Sequence, residues 1–269
     1  MLHVSRRHVL AGSAAALVGA LHRAPRVGAQ TASAGPPAAQ LIDDLVAANR
    51  ILSDQGVLDG YGHVSARHDR DPARFLMSRS LAPELVTAAD IMEYGLDSEP
   101  VDPRGRSSYL ERFIHGEIYR ARPDVQAVVH SHSPSVIPFG VTKQALRPVY
   151  HMSGFLAEGS ALFEIRNVAG DTDMLVSNGP LGVALAAALG SCSTVLMRGH
   201  GSTVVGASLE QAVYRAIYAE VNARLQMQAM ALGKVTYLNA QEAAKAAAIN
   251  DTQLQRAWEL WTQEIGAIE

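Results

Sequence analysis

The sequence of 269 residues contains one cysteine, and this scarcity excludes two kinds of chemistry. Cys192 has no second cysteine to pair with, so an intrachain disulfide is excluded even in an oxidising compartment. Its neighbours Leu189 and Gly190 form an apolar context that favours a buried structural thiol over a nucleophile. We therefore expect neither disulfide stapling nor cysteine catalysis.

Two further shortages limit the partners of the chain. Lysine and arginine number 23 against 26 aspartates and glutamates, for a formal net charge of −3, and this mildly acidic balance argues against a nucleic-acid partner. The weakly apolar run 11–21 is too short to span a bilayer and is followed at once by His22 and Arg23. We therefore expect no stable membrane span and a small molecule as the partner.

The N-terminal segment has the features of an export signal. The pair Arg6-Arg7 precedes the weakly apolar run 11–21, and small residues suitable for cleavage follow at Val27-Gly28-Ala29 and Ala32-Ser33-Ala34. This pattern predicts a twin-arginine signal over residues 1–34 that is removed on export, which gives a periplasmic or exported location. A cytoplasmic location is the alternative. Because the twin-arginine route carries folded proteins, it suits a protein that takes up its cofactor before export.

After a linker at 35–39, residues 40–269 are expected to form one domain. No internal repeat and no later linker divides them. Helical patterns alternate with short apolar runs of strand length, which indicates a single α/β sandwich-like domain. Helices are predicted at 40–52, 107–120, 181–189 and 239–265, and another begins at a capping box of Ser208 and Gln211 and ends near Gly233.

The pair His130 and His132 is the most informative feature of the chain. It follows the apolar run Ala127-Val128-Val129, which predicts a buried strand, and side chains two residues apart on a strand point to one face. His200 follows a second apolar run at 194–197 and can complete a set of three. Three protein ligands with open positions are typical of a catalytic metal site. From spacing alone, the alternative is three ordinary polar residues at strand ends.

Two carboxylates lie on the predicted helix before the histidine strand. A catalytic metal site commonly needs a carboxylate nearby, which moves protons to and from the bound substrate. Glu111 and Glu117 are both candidates, and each can equally be an exposed helix charge. The spacing alone does not choose between them.

Three segments resemble motifs of the class II aldolase/adducin family. Arg122-Pro123-Asp124-Val125-Gln126-Ala127-Val128-Val129-His130-Ser131-His132 resembles its metal strand, and Arg198-Gly199-His200-Gly201 resembles its third-ligand loop. Gly62-His63-Val64-Ser65-Ala66-Arg67 is similar to its Gly-Asn-hydrophobic-Ser-hydrophobic-Arg segment. The resemblance spans about residues 41–232, which is most of the mature chain.

The resemblance implies both an architecture and a site. It implies a three-layer α/β/α sandwich with a mostly antiparallel central sheet, assembled as a homotetramer with active sites between subunits. It implies that His130, His132 and His200 hold a divalent metal, most often Zn²⁺ and sometimes Mn²⁺ or another ion. The acid/base glutamate of the family stands at the start of the helix before the metal strand, and counting back from His130 places Glu111 there.

Departures from the family pattern indicate the substrate. In the sugar-phosphate aldolases and epimerases of the family, an asparagine at the position of His63 and a loop pair at the position of Arg79-Ser80 hold the phosphate. Two serines that complete the phosphate site are replaced here by Tyr109 and Leu110. A guanidinium and an aromatic ring suit a flat substrate that carries a carboxylate. We therefore expect His63, Arg79, Ser80 and Tyr109 to contact such a substrate.

Some family members decarboxylate hydroxylated aromatic acids such as dihydroxyphthalates, and residues 74–80, 111–116 and 130–140 resemble that branch most. The resemblance therefore predicts a metal-dependent carbon–carbon lyase that decarboxylates a hydroxylated aromatic or hydroxy carboxylic acid through a metal-stabilised enolate or phenolate. Glu111 would handle the replacement proton, and His151 is a further candidate for substrate contact. The alternatives are a class II aldolase acting on a sugar or hydroxy-keto acid, and a non-catalytic adducin-like interaction module.

Overall fold

A seven-stranded sheet organises residues 32–266, the part of the chain that the computed structural model describes. In chain order its strands are β1 (His63–Arg67), β2 (Arg74–Ser78), β3 (Ile91–Gly95), β4 (Ala127–Ser131), β5 (Ala161–Phe163), β6 (Thr194–Met197) and β7 (Gly201–Gly206). They lie in the order β3-β2-β1-β4-β7-β6-β5, and every neighbouring pair is antiparallel except β5 with β6. The predicted α/β class with a mostly antiparallel sheet is confirmed.

The helices of the described residues come before, between and after these strands. In chain order they are α1 (Ala39–Asp54), α2 (Phe113–Ala121), α3 (Ile137–Val141), α4 (Arg166–Ala169), α5 (Gly179–Leu189), α6 (Leu209–Leu232), α7 (Ala240–Asp251) and α8 (Leu254–Gly266).

Alternate residues of the central strand β4 face two different hydrophobic clusters. Ala127 and Val129 belong to a cluster built with α1, α6 and α8, whereas Val128 belongs to one built with α2 and α5. Successive side chains of a strand point to opposite faces, so apolar residues are required at every position when both faces are covered. A shift of one residue would exchange the faces, and the packing therefore fixes the direction of His130.

The helix predicted at 107–120 begins later than expected. The α-helix covers Phe113–Ala121, and the preceding residues Leu110–Arg112 form a 3₁₀ turn in which Glu111 has φ −92° and ψ 19°. The Glu111 carboxylate accepts a hydrogen bond from the Val176 amide at 2.9 Å, from a segment distant in sequence. This tertiary contact sets the direction of the carboxylate and outweighs the local helical pattern.

The C-terminal region is helical, as predicted, but the helix expected at 239–265 is two helices. The break falls at Thr252, between α7 and α8. Helix α7 packs closely against Gly154, where a side chain would collide with the helix backbone. Trp258 and Trp261 of α8 instead join the cluster of α1 and α6. The two helices therefore make different contacts, and the chain turns between them. Helix α6 ends at Gly233, where the sequence predicted its end.

The segment before α1 is bound to the sheet. Arg74 donates a hydrogen bond to the carbonyl of Ala32 at 2.8 Å, and the amide of Ala34 donates to the Glu93 carboxylate at 2.9 Å. Most of the predicted export signal, residues 1–31, lies outside the described residues. Within the described part, no helix combines the length and the apolar character needed to cross a membrane.

Candidate metal centre and active site

Four side chains with metal-binding atoms converge at the end of β4. One ligand atom from each of Glu111, His130, His132 and His200 lies within 4.8 Å of the other three. His130 lies in β4 and His132 follows its end, whereas Glu111 precedes α2 and His200 occupies the turn between β6 and β7. The fold therefore brings together residues from three separate stretches of the sequence.

Strand pairing brings His200 beside His130. In the β4–β7 pair His130 lies opposite Thr203, and the turn that carries His200 leads directly into β7 at Gly201. A side chain at Gly201 would collide with the backbone of Ser131 on β4. Glycine at this position therefore permits the close approach of the turn to the histidine strand.

Backbone carbonyls orient two of the histidines. The Nδ1 atom of His130 lies 3.1 Å from the Ser202 carbonyl oxygen, and the Nδ1 atom of His200 lies 2.9 Å from that of Met174. A carbonyl oxygen only accepts, so each Nδ1 carries the hydrogen and each Nε2 presents its lone pair to the cluster. Metal-binding histidines are commonly held by such a bond from the other ring nitrogen.

The nitrogens that face the cluster lack ordinary hydrogen-bond partners. His130 Nε2 is buried and, within the described residues, accepts no hydrogen bond. His132 Nε2 and His200 Nε2 lie 3.0 Å apart, and Glu111 Oε2 lies 3.3 Å from His200 Nε2. A buried polar atom without a partner costs about 1–3 kcal/mol. A divalent cation shared by the three nitrogens would satisfy them, so this donor set fits a metal.

The electrostatic environment keeps Glu111 and His132 in forms that bind cations, whereas the Glu111 carboxylate, against the effect of burial, raises the pKa of His200. Burial acts to raise the pKa of Glu111, but His130 and His200 outweigh it, so the pKa of this carboxyl is lowered and the group is ionised at neutral pH. Burial, followed by the nearby His130 and His200, lowers the pKa of His132 to about 4, so its imidazole is neutral at that pH. Carboxylate and neutral imidazole are the forms that coordinate metals.

A cavity of about 380 Å³ opens beside the cluster, a size that suits a small molecule. Glu111 and His132 line it, together with three predicted substrate contacts, His63, Ser80 and Tyr109. The rings of His63 and Tyr109 pack with their centroids 4.6 Å apart, and leucine side chains supply much of the remaining wall. The cavity therefore combines an apolar wall with a few polar groups close to the candidate metal ligands.

Two other predicted substrate contacts do not line this cavity. The Arg79 guanidinium pairs with the Asp90 carboxylate at 2.6 Å, and this pairing compensates the charge that was expected to receive a substrate carboxylate. His151 is exposed, and its carbonyl accepts a hydrogen bond from Asn250 at 2.7 Å. The structure therefore does not bring Arg79 or His151 to the cluster within one chain, and their contact with substrate stays a prediction.

A set of polar residues behind the cavity was not predicted from the sequence. His115 is fully buried, and its two ring nitrogens each lie 2.6 Å from a partner, His63 Nδ1 on one side and Ser65 Oγ on the other. Burial, with a smaller contribution from His130, lowers the pKa of His115 to about 3, so the ring is neutral. The available signal was its position four residues after Glu111, which is equally typical of helix packing.

The mostly antiparallel α/β fold, with three histidines and a glutamate at a cavity beside the central strand, defines a domain whose side chains could hold a metal ion. Residues 43–227 match the family model described as Class II Aldolase and Adducin N-terminal domain, and the chain belongs to this family. The family predicted from the sequence motifs is thereby confirmed.

The relatives include decarboxylases and an aldolase. Decarboxylase tropJ of Talaromyces stipitatus is 37% identical over 253 residues, which cover 85% of this chain and 95% of that protein. The 3,4-dihydroxyphthalate decarboxylase of Terrabacter sp. is 34% identical over 202 residues, covering 72% of this chain and 82% of that protein. The solved L-fuculose 1-phosphate aldolase from Glaciozyma antarctica has a TM-score of 0.71 at 25% identity and covers 87% of this chain and 95% of its own. These relatives support a lyase, and the predicted resemblance to the decarboxylase branch is confirmed.

Proposed function

We propose that the chain is a divalent-metal-dependent decarboxylase of a hydroxylated aromatic or hydroxy carboxylic acid. The observation that carries this proposal is the position of the cluster of Glu111 and three histidines beside a cavity with a largely apolar wall. A flat ring suits such a wall, and the cluster lies where the polar substituents of the ring would reach. The two decarboxylase relatives described above support the same activity.

His130, His132 and His200 would hold the cation. Zinc is the first choice because three imidazole nitrogens with open positions are typical of catalytic zinc, and Mn²⁺ or another divalent ion is the alternative. When bound, the ion supplies Lewis-acid stabilisation of the negative charge that builds up on the substrate as the carbon–carbon bond breaks.

Glu111 handles the proton in this proposal. Its Oε1 accepts from the Val176 amide at 2.9 Å, which orients the carboxylate, and its Oε2 faces the cluster. The ionised carboxylate takes a proton from a substrate hydroxyl or a water molecule. The bond to the substrate carboxylate then breaks, carbon dioxide leaves, and the electron pair left on carbon accepts the proton from Glu111. One proton is taken and one is returned.

The cavity wall binds the substrate. His63 and Ser80 offer polar atoms for the acid, and the ring of Tyr109 lies against the substrate ring. We also propose the homotetramer and the three-layer α/β/α arrangement that the family resemblance implies. Tyr61 and Leu110 at the cavity are 72% and 63% exposed in the single chain, and a neighbouring subunit would cover them.

The metal-loaded protein is expected to release carbon dioxide from dihydroxyphthalate-type acids and to lose this activity when a chelator removes the metal. Carbon dioxide release is measured with and without the chelator, and re-addition of zinc or manganese is the control. Release of an aldehyde from a sugar or hydroxy-keto acid, with no decarboxylation, would instead favour the aldolase. A metal-free protein that is inactive on both and whose stability ignores chelators would favour the adducin-like module.

We further propose export by the twin-arginine route, and we narrow the removed segment, predicted from the sequence as residues 1–34, to residues 1–29, so that the mature chain begins at Gln30. Of the two candidate cleavage segments, Ala32-Ser33-Ala34 is bound to the sheet by Arg74 and Glu93. Because this route delivers folded protein, the segment Ala32-Ser33-Ala34 is already bound to the sheet when the signal peptidase acts, which hinders cleavage there. A cleavage site after Ala29 precedes the bound segment in the sequence. N-terminal sequencing of the exported protein measures the outcome.

Replacement of both Arg6 and Arg7 by lysine is the control for the route, and the precursor is then expected to stay in the cytoplasm. A mature chain that begins at Gly35 would contradict the choice of cleavage site. Unprocessed protein in the cytoplasm of cells that carry the native sequence would contradict export itself.

A further inference from the structure

A line of buried hydrogen bonds runs from the cavity wall into the core. His63 Nδ1 lies 2.6 Å from His115 Nε2, His115 Nδ1 lies 2.6 Å from Ser65 Oγ, and Ser65 Oγ lies 2.8 Å from the Tyr119 hydroxyl. Each of the four residues is at most 3% exposed. We call these four residues the His63 chain. They come from β1 and α2, and none of them is among the four residues of the metal cluster.

The buried end of the His63 chain sets the direction of every bond in it. Burial raises the pKa of Tyr119 well above its ordinary value, so its hydroxyl keeps its proton. Among the described residues, its hydrogen-bond acceptor is Ser65 Oγ, because its other polar neighbour, the backbone amide of Val128, is itself a donor. Tyr119 therefore donates to Ser65. The opposite direction would leave a buried hydroxyl proton without a partner, which is costly.

The remaining directions follow one by one. Ser65 accepts a hydrogen bond from Tyr119, so its own hydroxyl donates a hydrogen bond to His115 Nδ1. The neutral ring of His115 then carries its hydrogen on Nε2 and donates it to His63 Nδ1. A neutral His63 that accepts at Nδ1 must carry its hydrogen on Nε2. Within the described residues, no protein group pairs with that nitrogen, and His63 lines the cavity.

We propose that the His63 chain makes His63 a fixed hydrogen-bond donor to the carboxylate of the substrate, with His115 as the positioning residue that sets the position of the His63 hydrogen. This inference rests on the proposed decarboxylase function. A carboxylate oxygen only accepts hydrogen bonds, so an N–H of fixed direction binds it. In the opposite form the nitrogen lone pair would face the carboxylate and repel it. The partner that Arg79 was expected to supply is thereby supplied by a neutral residue.

The hydrogen bonds of the His63 chain position the His63 ring and do not deliver protons to the substrate. A proton relay needs a source that exchanges with solvent at its far end, whereas Tyr119 is 1% exposed and the guanidinium of Arg67 lies 4.7 Å from the centre of its ring. The backbone carbonyl of Tyr119 also accepts from Arg67, which holds this end of the chain in place. The proton that replaces the carboxylate therefore comes through Glu111.

The ¹⁵N spectrum of histidine-labelled, zinc-loaded full-length protein tests the direction of the chain. The His63 signals, identified by their loss in His63→Gln, are expected to show hydrogen on Nε2. Ser65→Ala removes the hydroxyl that donates to His115 Nδ1, so neither form of His115 then has a partner at that nitrogen, and His63 with hydrogen on Nδ1 is expected to appear beside the native form. Hydrogen on Nδ1 in the native protein, or no change in Ser65→Ala, would overturn the inference.

Ser153→Ala is the matched control. Ser153 is also a fully buried serine, but its hydroxyl donates to the Tyr150 carbonyl at 2.8 Å, outside the His63 chain. The Ser153→Ala protein is therefore expected to keep hydrogen on His63 Nε2. The same change in both variants would show a general effect of losing a core hydroxyl and would overturn the role of the chain.

Kinetics test the role of the donor. His63→Phe is expected to raise KM for the acid about tenfold or more with a smaller change in kcat, because it removes a hydrogen bond to a charged group. His63→Gln keeps an amide donor and is expected to restore part of the loss, and equal effects of both variants would overturn the donor role. The spectrum is recorded without turnover, so it tests this inference independently of the proposed function. An active decarboxylase whose His63 carries its hydrogen on Nδ1 would overturn this inference and leave the proposed function supported. Absence of decarboxylation with the expected spectrum would overturn the proposed function and leave the chain direction supported.

Discussion

Replacement of His130 by alanine is expected to remove the bound metal and to lower the decarboxylation rate about a thousandfold or more. His130 is fully buried, its Nδ1 donates to the Ser202 carbonyl, and its Nε2 has no hydrogen-bond partner among the described residues. The ring is thus oriented to give one lone pair to a cation, and Glu111 Oε2 lies 3.5 Å from the same nitrogen. Lewis-acid stabilisation is worth several kcal/mol, and each ~1.4 kcal/mol changes a rate tenfold.

Metal content per chain and the decarboxylation rate are measured together on the His130→Ala protein. The control is His68→Gln, because His68 is also buried and also hydrogen-bonded to a carbonyl, that of Gly35, yet is not part of the cluster. The control variant is expected to keep its metal and its rate. A His130→Ala protein with full metal content and native activity would exclude the proposed centre.

Replacement of Glu111 by glutamine is expected to lower the rate about 10²–10⁴-fold while the metal is retained, because removal of a general acid–base typically has an effect of that size. Glutamine keeps a carbonyl oxygen that can accept from the Val176 amide, so the 3₁₀ turn before α2 is preserved. The substitution removes the charge and the ability to exchange a proton. The decarboxylation rate, the metal content and the thermal unfolding temperature are all measured on the Glu111→Gln protein.

Glu117→Gln is the matched control for Glu111→Gln. Glu117 is the other glutamate of this region and is buried to the same extent as Glu111, but it pairs with Arg120 at 3.1 Å and is not part of the cluster. It is expected to lose little activity. Equal losses in both variants would indicate damage to the helix. Loss of metal from Glu111→Gln in proportion to its loss of rate would indicate that Glu111 binds the ion and would contradict the proton role.

The helices and strands around the site could largely be predicted from local patterns. The run Ala127-Val128-Val129 predicts a buried strand, and its alternate residues do belong to two different hydrophobic clusters. The start of α2 could not be predicted, because the direction of Glu111 depends on the Val176 amide, which belongs to a distant segment. The intrinsic preference of these residues for helix over other conformations is smaller in free energy than the contribution of such a contact. The tertiary contact therefore decides where the helix begins.

The polar residues that line the cavity illustrate the same difference. The sequence shows His63 at the position where the sugar-phosphate aldolases have an asparagine, and His63 does line the cavity. Arg79 was expected beside it by the same comparison, but its ion pair with Asp90 is a contact between loops that no spacing reveals. Long flexible side chains can turn to any nearby opposite charge, and residues on strands have much less freedom.

By itself, the sequence determined the family, the mostly antiparallel α/β class and the shared face of His130 and His132, because these follow from short motifs and from the period of a strand. Only the tertiary structure decided that His130 Nε2 lacks a hydrogen-bond partner and that Arg79 is paired with Asp90. It also decided the direction of the His63 chain. The physical reason is that hydrogen-bond direction depends on every donor and acceptor within about 3 Å. Those neighbours come from elements that the sequence does not place side by side.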